Sequence, residues 1–453
     1  MRYVSTRGKG GNPRFLEAVS EGLAPDGGLF VPESMPDISK LYPTWENLSY
    51  PELCFEFLRL FADDMPESDL KKLVAASYKN FDDAQIAPLR KLSDKLYMLE
   101  LFHGPTLAFK DFALQFLGNL NEYILSKTSR VMNVLGATSG DTGSAAINGM
   151  LGKRGVNIFI LYPEGRISPL QERQMACTGA DNVFPIAIRG TFDDAQAIVK
   201  ELFGDLEFKA KWNLGAVNSI NLARILAQCV YYVYASLRLP KSERENATYI
   251  VPTGNFGNVL AGWLAWKSGM PAGGFKVATN QNDILFRLFS TGVYKIGKVE
   301  PSYAPSMDIQ VASNFERFIY FLLDRNSDSV RNVMETFKKT GSWKFENFKA
   351  ENFTSSRMDD ARIADTIAKV RRDYGVTIDP HTACAFADLS GDSSKVVLAT
   401  AHPAKFPELI EKATGVKPVS PALEALLSRK IEKTVMDADA QSVRSFIESR
   451  GIK

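Results

Sequence analysis

The sequence predicts an α/β chain with parallel sheets, preceded by a mostly helical extension. Three observations carry that expectation. From about residue 90 onward, short β-rich runs alternate with helical patterns, the order that gives parallel strands with helices on their faces. Several runs are continuously apolar and β-branched, as strands covered on both faces are. Small, polar, glycine-bearing stretches follow some of them, at the strand ends where open α/β sheets place ligands.

Taken in order, the first 90 residues read differently from the rest. Residues 15–19 fit a short helix, 22–32 are turn-rich with an apolar end, and helical patterns cover 49–62 and 67–77. Strands are expected at 97–99, 131–135, 157–162, 183–188, 249–251, 275–278 and 396–399. The span 301–379 is rich in helix formers and charge and is expected to be helical. The expected division is an N-terminal extension over 1–90 and a catalytic region over 91–453, a large α/β domain with a smaller α/β domain nested at 130–216.

Composition narrows the function. The chain has 453 residues, with 54 Lys plus Arg against 52 Asp plus Glu, a net charge of +2. Such a balance offers no global field for nucleic acid or an anionic membrane. With 45% apolar and 23% charged residues, disorder, collagen and coiled coil are excluded. No apolar run approaches the ~18 residues of a membrane span. Residues 1–8 are polar and lack the apolar core of a signal peptide, and Cys54, Cys177, Cys229 and Cys384 are too far apart for a metal knuckle or CxxC motif. A cytoplasmic location is therefore expected. Only His103, His381 and His402 could build a histidine metal site, which makes one improbable on numbers alone.

Five stretches could carry chemistry. In Phe102–Phe112, Lys110 opens a helical pattern among apolar groups. Desolvation and the positive end of a helix dipole both favour a neutral amine there, the form that makes an imine. The alternative is a helix-start lysine that snorkels to solvent. Gly136–Ala146 places three Gly, Thr138, Ser139, Thr142 and Asp141 between a strand and a helix, either a ligand loop or a tight turn. Pro252–Asn258 is again between a β-run and a helix, and its Gly and Asn residues can turn successive N–H groups into one concavity, suited to a phosphate, or merely cap the helix. Asn218, Asn221 and Arg224 recur at three-residue spacing, with Ser219 as a cap, so Arg224 either clamps a second phosphate or makes an ordinary ion pair. Val396–Phe406 crowds Thr400, His402 and Lys405 after an apolar strand, with Asp379–Ala383 upstream. An imine-forming lysine and a phosphate cradle, with no metal ligands, no Walker lysine and no Ser-His-Asp pattern, are what pyridoxal phosphate needs.

The residues are also familiar. Thr106-Leu107-Ala108-Phe109-Lys110-Asp111 closely resembles the pyridoxal-phosphate lysine signature of threonine synthases. The stretches 137–143, 254–258, 218–224 and 401–406 resemble that family too, in order. Gly22–Pro32, Ser306–Ile309 and Ser313–Arg317 fit its longer branch, found in bacteria and fungi. The resemblance implies a fold-type-II, tryptophan-synthase-β-like enzyme with the cofactor between two α/β domains. It implies a carbon–oxygen lyase that converts O-phospho-L-homoserine and water to L-threonine and phosphate, the last step of threonine biosynthesis. Carried over by motif, Lys110 would hold the cofactor as an imine and shuttle protons. Gly254, Asn255, Phe256, Gly257 and Asn258 would cradle the cofactor phosphate, and Thr400 would face the pyridine nitrogen. Ser139, Asp141 and Thr142 would meet the substrate carboxylate end. Asn218, Ser219 and Arg224, with Lys405, would hold the substrate phosphate. The implied state is a monomer or weak homodimer with no nucleic-acid or membrane partner. A dehydratase of the same fold would need no phosphate clamp, so the 218–224 stretch discriminates. A phospholyase for another phosphorylated amino compound would keep it. A non-catalytic pyridoxal-binding protein would not need so full a polar site, and a dinucleotide-binding dehydrogenase would need the missing glycine fingerprint.

Overall fold

The computed structural model describes residues 1–216, 219–346 and 348–453. The chain divides into two compact units. One holds Met1–Ala75, Phe81–His103 and Ser219–Pro418; the other holds Ala76–Asn80, Gly104–Asn218 and Val419–Lys453.

The first unit is built on a six-stranded sheet. Across it run Phe353–Arg357, Gly274–Thr279, Thr248–Pro252, Lys395–Ala399, Leu96–Glu100 and Leu89–Ser93. All neighbours are parallel except the last pair. Val397 lies opposite both Ile250 and Met98, so the carboxyl ends of these central strands leave the sheet side by side. Residues 253–258 and Thr400 therefore emerge at the same end of the sheet, the end where open α/β sheets bind ligands. One core joins Met98, Ile250, Val397 and Ala399 to Ile363, Ile367 and Ile410 of the helices Asp360–Tyr374 and Pro407–Thr414. Each such buried aliphatic side chain contributes about 2 kcal/mol from area removed from water. Near the amino terminus, Tyr3–Ser5 pairs antiparallel with Phe30–Pro32, and the helix Tyr50–Leu58 starts in a capping box of Ser49 and Glu52.

The second unit holds a fully parallel five-stranded sheet in the order Thr434–Asp437, Val183–Arg189, Val156–Pro163, Met132–Ala137, Leu214–Ala216. The last residues of the chain, which carry no motif, complete it. Val443 and Ile447 of the helix Ala440–Arg450 enter the core with Ile186, Ile188 and Leu202. Asn133 ties the terminus down, donating to the carbonyls of Trp212 and Ile452 and accepting from the Ile452 N–H. The helices Lys110–Thr128 and Asp141–Met150 cross closely in this unit. A Cβ on Gly118 would sit 1.9 Å from the Gly149 carbonyl oxygen, and one on Gly149 would sit 2.4 Å from the Leu114 carbonyl oxygen. The absence of side chains there lets the two helix backbones touch.

All seven expected strands are present, each a little longer than its apolar run. The span 301–379 is not wholly helical. It contains the helices Phe315–Leu322, Ser327–Thr340 and Asp360–Tyr374, but Phe353–Arg357 is the edge strand of the first sheet and Ser342–Lys344 pairs with Val293–Lys295. The edge strand reads Phe-Thr-Ser-Ser-Arg, half of it facing solvent, so it lacks the apolar continuity of a central strand. Among the described residues no helix is long and apolar enough to cross a membrane.

Just past Leu96–Glu100, His103 sits between two carboxylates: Nδ1 is 2.8 Å from Asp82 and Nε2 is 2.9 Å from Glu100, which also pairs with Arg90 at 2.7 Å. Burial opposes the charged imidazole, but the hydrogen bonds to Glu100 and Asp82 outweigh it and raise the pKa above its usual value. A raised folded-state pKa stabilises the fold below the ordinary histidine value of about 6.5, and the gain disappears as pH rises through the folded value. The His103→Asn protein should therefore melt roughly 2 °C below the parent at pH 6, and the gap should close at alkaline pH. Thermal melts at several pH values check this; a gap that does not change with pH would contradict it.

Candidate functional site

In the second unit the Thr106–Asp111 stretch folds around one carboxylate. Asp111, wholly buried, accepts the Thr106 N–H at 2.8 Å and the Thr106 hydroxyl at 2.6 Å. Gln174 donates to the Thr106 carbonyl at 3.0 Å. Leu107 takes a positive φ of 60°, uncommon for a bulky residue, to complete the turn. This fixes the start of the helix Lys110–Thr128, and Lys110 is its first residue. The Lys110 side chain is 7% exposed. Its Nζ lies 3.6 Å from the buried Asp141 carboxylate and 5.4 Å from the centre of the Phe109 ring. The snorkelling alternative is thereby set aside, because the amine is not in solvent.

Asp141 opens the helix that follows the strand Met132–Ala137. Its other carboxylate oxygen accepts from Gln171 Nε2 at 3.0 Å. Thr138 Oγ1 accepts the N–H groups of Gly140 and Gly143 and shapes the loop. Gly140 has φ +144°, and a Cβ there would lie 2.5 Å from the Gln171 amide nitrogen, so only glycine fits. Ser139 is exposed and Thr142 half-buried at the helix start.

In the first unit the loop after Thr248–Pro252 runs into the helix Gly257–Lys267. Phe256 has φ 63° and is 1% exposed. Its ring sits among Phe315, Phe318 and Phe289, at centroid separations of 5.5, 5.3 and 6.2 Å. The side chain is thus an anchor, and the backbone of 254–257 is what the loop presents at the helix N-terminus. Gly254 passes close over another loop, since a Cβ there would meet the Ser306 carbonyl oxygen at 3.0 Å. Asn258 accepts from the hydroxyls of Tyr231 and Tyr232 at 2.7 and 2.8 Å, and its Nδ2 is buried with no partner among the described residues.

Thr400, on the neighbouring strand end, donates its N–H to Thr382 Oγ1 at 3.1 Å. The Thr382 hydroxyl in turn donates to Asp379. Asp379 also lies 2.9 Å from His381 Nδ1, while His381 Nε2 accepts the Ser306 N–H at 3.2 Å. One buried carboxylate thus braces both the Thr400 turn and the loop beneath Gly254. Thr382 and Ser306 escape sequence reasoning, because a hydroxyl gives no spacing signal; Asp379 before Pro380 marks only a helix start.

Arg224, on the first turn of the helix Leu222–Arg238, is 4% exposed, and its Nη1 is buried without a hydrogen-bond partner among the described residues. Burial alone pulls its pKa down to about 10, so the guanidinium is charged at neutral pH. Ser219 Oγ lies 2.6 Å from Ser313 Oγ, which donates to Asn255 Oδ1 at 3.3 Å. Lys405 is buried at the end of the short turn Pro403–Lys405. Asn218 lies outside the described residues. Of the expected site residues, Lys110, Ser139, Asp141 and Thr142 fall in the second unit. Ser219, Arg224, residues 254–258, Thr400 and Lys405 fall in the first.

The residues fit pyridoxal phosphate. A helix N-terminus with its backbone laid open, an orphaned amide donor at Asn258 and a buried primary amine at Lys110 are what its phosphate, ring and aldehyde require. Among the described residues no cluster of His, Cys, Asp and Glu could hold a metal ion.

Comparisons with known proteins agree. Residues 2–78 match the family description "Threonine synthase N terminus", 83–339 match "Pyridoxal-phosphate dependent enzyme", and 381–447 match "Threonine synthase, C-terminal". The threonine synthase of Pseudomonas aeruginosa is 44% identical, over 100% of this chain and 99% of its own. That of Saccharomyces cerevisiae is 41% identical, over 98% and 97%. The PLP-bound threonine synthase structure from Brucella melitensis superposes with a TM-score of 0.95 at 40% identity, over the whole of both chains. The yeast threonine synthase structure gives 0.94 at 38%, over 99% of this chain and 98% of its own. Maize serine racemase, at 15% identity and a TM-score of 0.52 over 74% of this chain and 92% of its own, shares the fold alone. Full-length matches of this order leave one assignment: the chain belongs to the threonine synthase family, the lyases of pyridoxal-phosphate fold type II that make L-threonine from O-phospho-L-homoserine.

Proposed function

We propose the following division of labour among the chain's residues in the conversion of O-phospho-L-homoserine and water to L-threonine and phosphate. Pyridoxal phosphate, when bound, supplies an electron sink for carbanions at Cα and Cβ of the substrate. Lys110 carries the cofactor and then moves protons at those two carbons. Its amine is suited to this because it is buried and held near one carboxylate, Asp141 at 3.6 Å. The backbone of Gly254, Asn255, Phe256 and Gly257 receives the cofactor phosphate at a helix N-terminus. Asn258, through its Nδ2, would add a donor for the bound cofactor, and Thr400 would offer a neutral hydroxyl to its pyridine nitrogen. Ser139 and Thr142 orient the substrate carboxylate. The Asp141 carboxylate would repel that group, so Asp141 adds its N–H there and keeps its charge for Lys110.

Asn218, Ser219, Arg224 and Lys405 take the substrate phosphate. Holding it lets negative charge build on the leaving oxygen as the Cγ–O bond breaks. A proton is then returned to Cγ, which becomes the methyl group, water adds at Cβ, and a last proton returns to Cα. The observation that carries this reading is Arg224: among the described residues its buried Nη1 has no partner, and such a nitrogen costs stability unless an anion meets it. A dehydratase of the same fold has no use for that cation. The proposed compartment is the cytoplasm, supported by four buried cysteines that form no disulfide among the described residues. The proposed state is a monomer or weak homodimer, with no nucleic-acid or membrane partner.

An assay of the pyridoxal-loaded protein with O-phospho-L-homoserine should give equimolar phosphate and L-threonine. Lys110→Ala should fold, lose the visible absorbance of the bound cofactor and lose turnover by more than about a thousandfold. An active alanine protein would overturn the assignment of Lys110. Arg224→Ala should lower kcat/KM for the phosphorylated substrate by about a hundredfold while cofactor content stays near parental. Unchanged kinetics would remove Arg224 from the site.

A further inference from the structure

Arg317 is wholly buried, and no part of the catalytic reading uses it. Its guanidinium makes three hydrogen bonds: Nε to the Phe30 carbonyl at 2.9 Å, Nη1 to Asn314 Oδ1 at 2.7 Å and Nη2 to the Ile220 carbonyl at 2.6 Å. No carboxylate among the described residues bonds to it. Glu316, its neighbour in sequence, is engaged by Arg7 and Thr6 instead. Burial draws the Arg317 pKa down to about 9, which leaves it charged at neutral pH.

The acceptors place Arg317 at a junction. Phe30 belongs to the strand Phe30–Pro32 of the N-terminal segment. Ile220 lies in the turn between Ser219 and the helix that carries Arg224. Asn314, fixed by Arg317, donates its Nδ2 to the Ser219 carbonyl at 2.9 Å, and its N–H bonds the Asn255 carbonyl at 3.1 Å. The same turn is held from a second side by Asn221, whose Nδ2 donates to the Val19 carbonyl at 3.0 Å. The 219–221 turn is thus held at two successive carbonyls: Ile220 directly by the rigid Arg317 fork, and Ser219 by Asn314, which the same fork fixes.

We propose that Arg317 is a positioning residue for the substrate phosphate, holding the 219–221 turn through Ile220 and Asn314 and bracing it against the N-terminal strand. The proposal rests on the reading of Ser219 and Arg224 as phosphate ligands. A bound dianion rewards ligands already in place, because ordering a loose turn at binding would cost affinity. The N-terminal segment is then part of the substrate site at one remove, through the Phe30 carbonyl.

The test uses the pyridoxal-loaded full chain and two probes, inorganic phosphate and L-threonine, each titrated by its effect on cofactor absorbance. Arg317→Lys keeps the charge but cannot reach three acceptors. It should weaken inorganic phosphate binding about tenfold and raise KM for O-phospho-L-homoserine to a similar degree. The kcat value and L-threonine binding should stay within about threefold. Asn314→Ala cuts the same link from the other side and should act in the same direction, which keeps the question open to measurement if the lysine variant does not fold. Unchanged phosphate binding in a folded, cofactor-loaded variant would overturn the proposal, as would equal losses for phosphate and L-threonine. Arg224→Ala run alongside separates the two claims: loss there but not at Arg317 or Asn314 refutes only the bracing, and loss in none of them refutes the phosphate reading as well.

Discussion

The placement of the Lys110 amine beside the Asp141 carboxylate is the interaction on which the catalytic reading depends. Two buried opposite charges cost several kcal/mol each in lost hydration, so the pair persists only if the fold forces it. Here a backbone feature does so. The helices that begin at Lys110 and Asp141 meet where Gly118 and Gly149 bring backbone against backbone, a contact no larger residue permits. Gln171 then holds the second oxygen of Asp141, and Asp111 holds the loop before Lys110. Glycine spacing, helix crossing and amine environment are one causal chain.

Cations in the first unit follow a complementary logic. Arg7 is neutralised by Glu316 with two hydrogen bonds, and ordinary stability is its whole explanation. Arg224 and Arg317 are different, because both are buried and neither touches a carboxylate among the described residues. Arg317 is satisfied by carbonyls and a side-chain amide oxygen, whereas Nη1 of Arg224 has no partner among the described residues. An open buried guanidinium nitrogen next to a turn held by a second arginine is what the proposed binding of a transient anion requires.

Much of this was legible before any coordinates. Central strands announced themselves because burial on both faces demands apolar continuity, and the ligand loops did so because Gly, Asn and hydroxyl residues crowd strand ends for few other reasons. Lys110 stood out by its apolar neighbours. What escaped has physical causes too. The edge strand Phe353–Arg357 carries small polar residues, and Thr434–Asp437 is short and nowhere more than half-buried, so neither shows a core pattern. The roles of Thr382, Asn314 and Arg317 are set by Thr400, Ser219 and Phe30, which lie 18, 95 and 287 positions away in sequence. Local spacing holds no record of such contacts. Asp141 stood out in a polar loop after a strand, but the approach of its carboxylate to Lys110 was not readable.

The most direct measurement is chemical. The pyridoxal-loaded protein is reduced with borohydride, which makes the link between a lysine and the cofactor permanent, then digested and mapped by mass spectrometry. The account predicts one pyridoxyl group, on the peptide that contains Lys110. A label on any other lysine, or a loaded protein that takes no label, would contradict it.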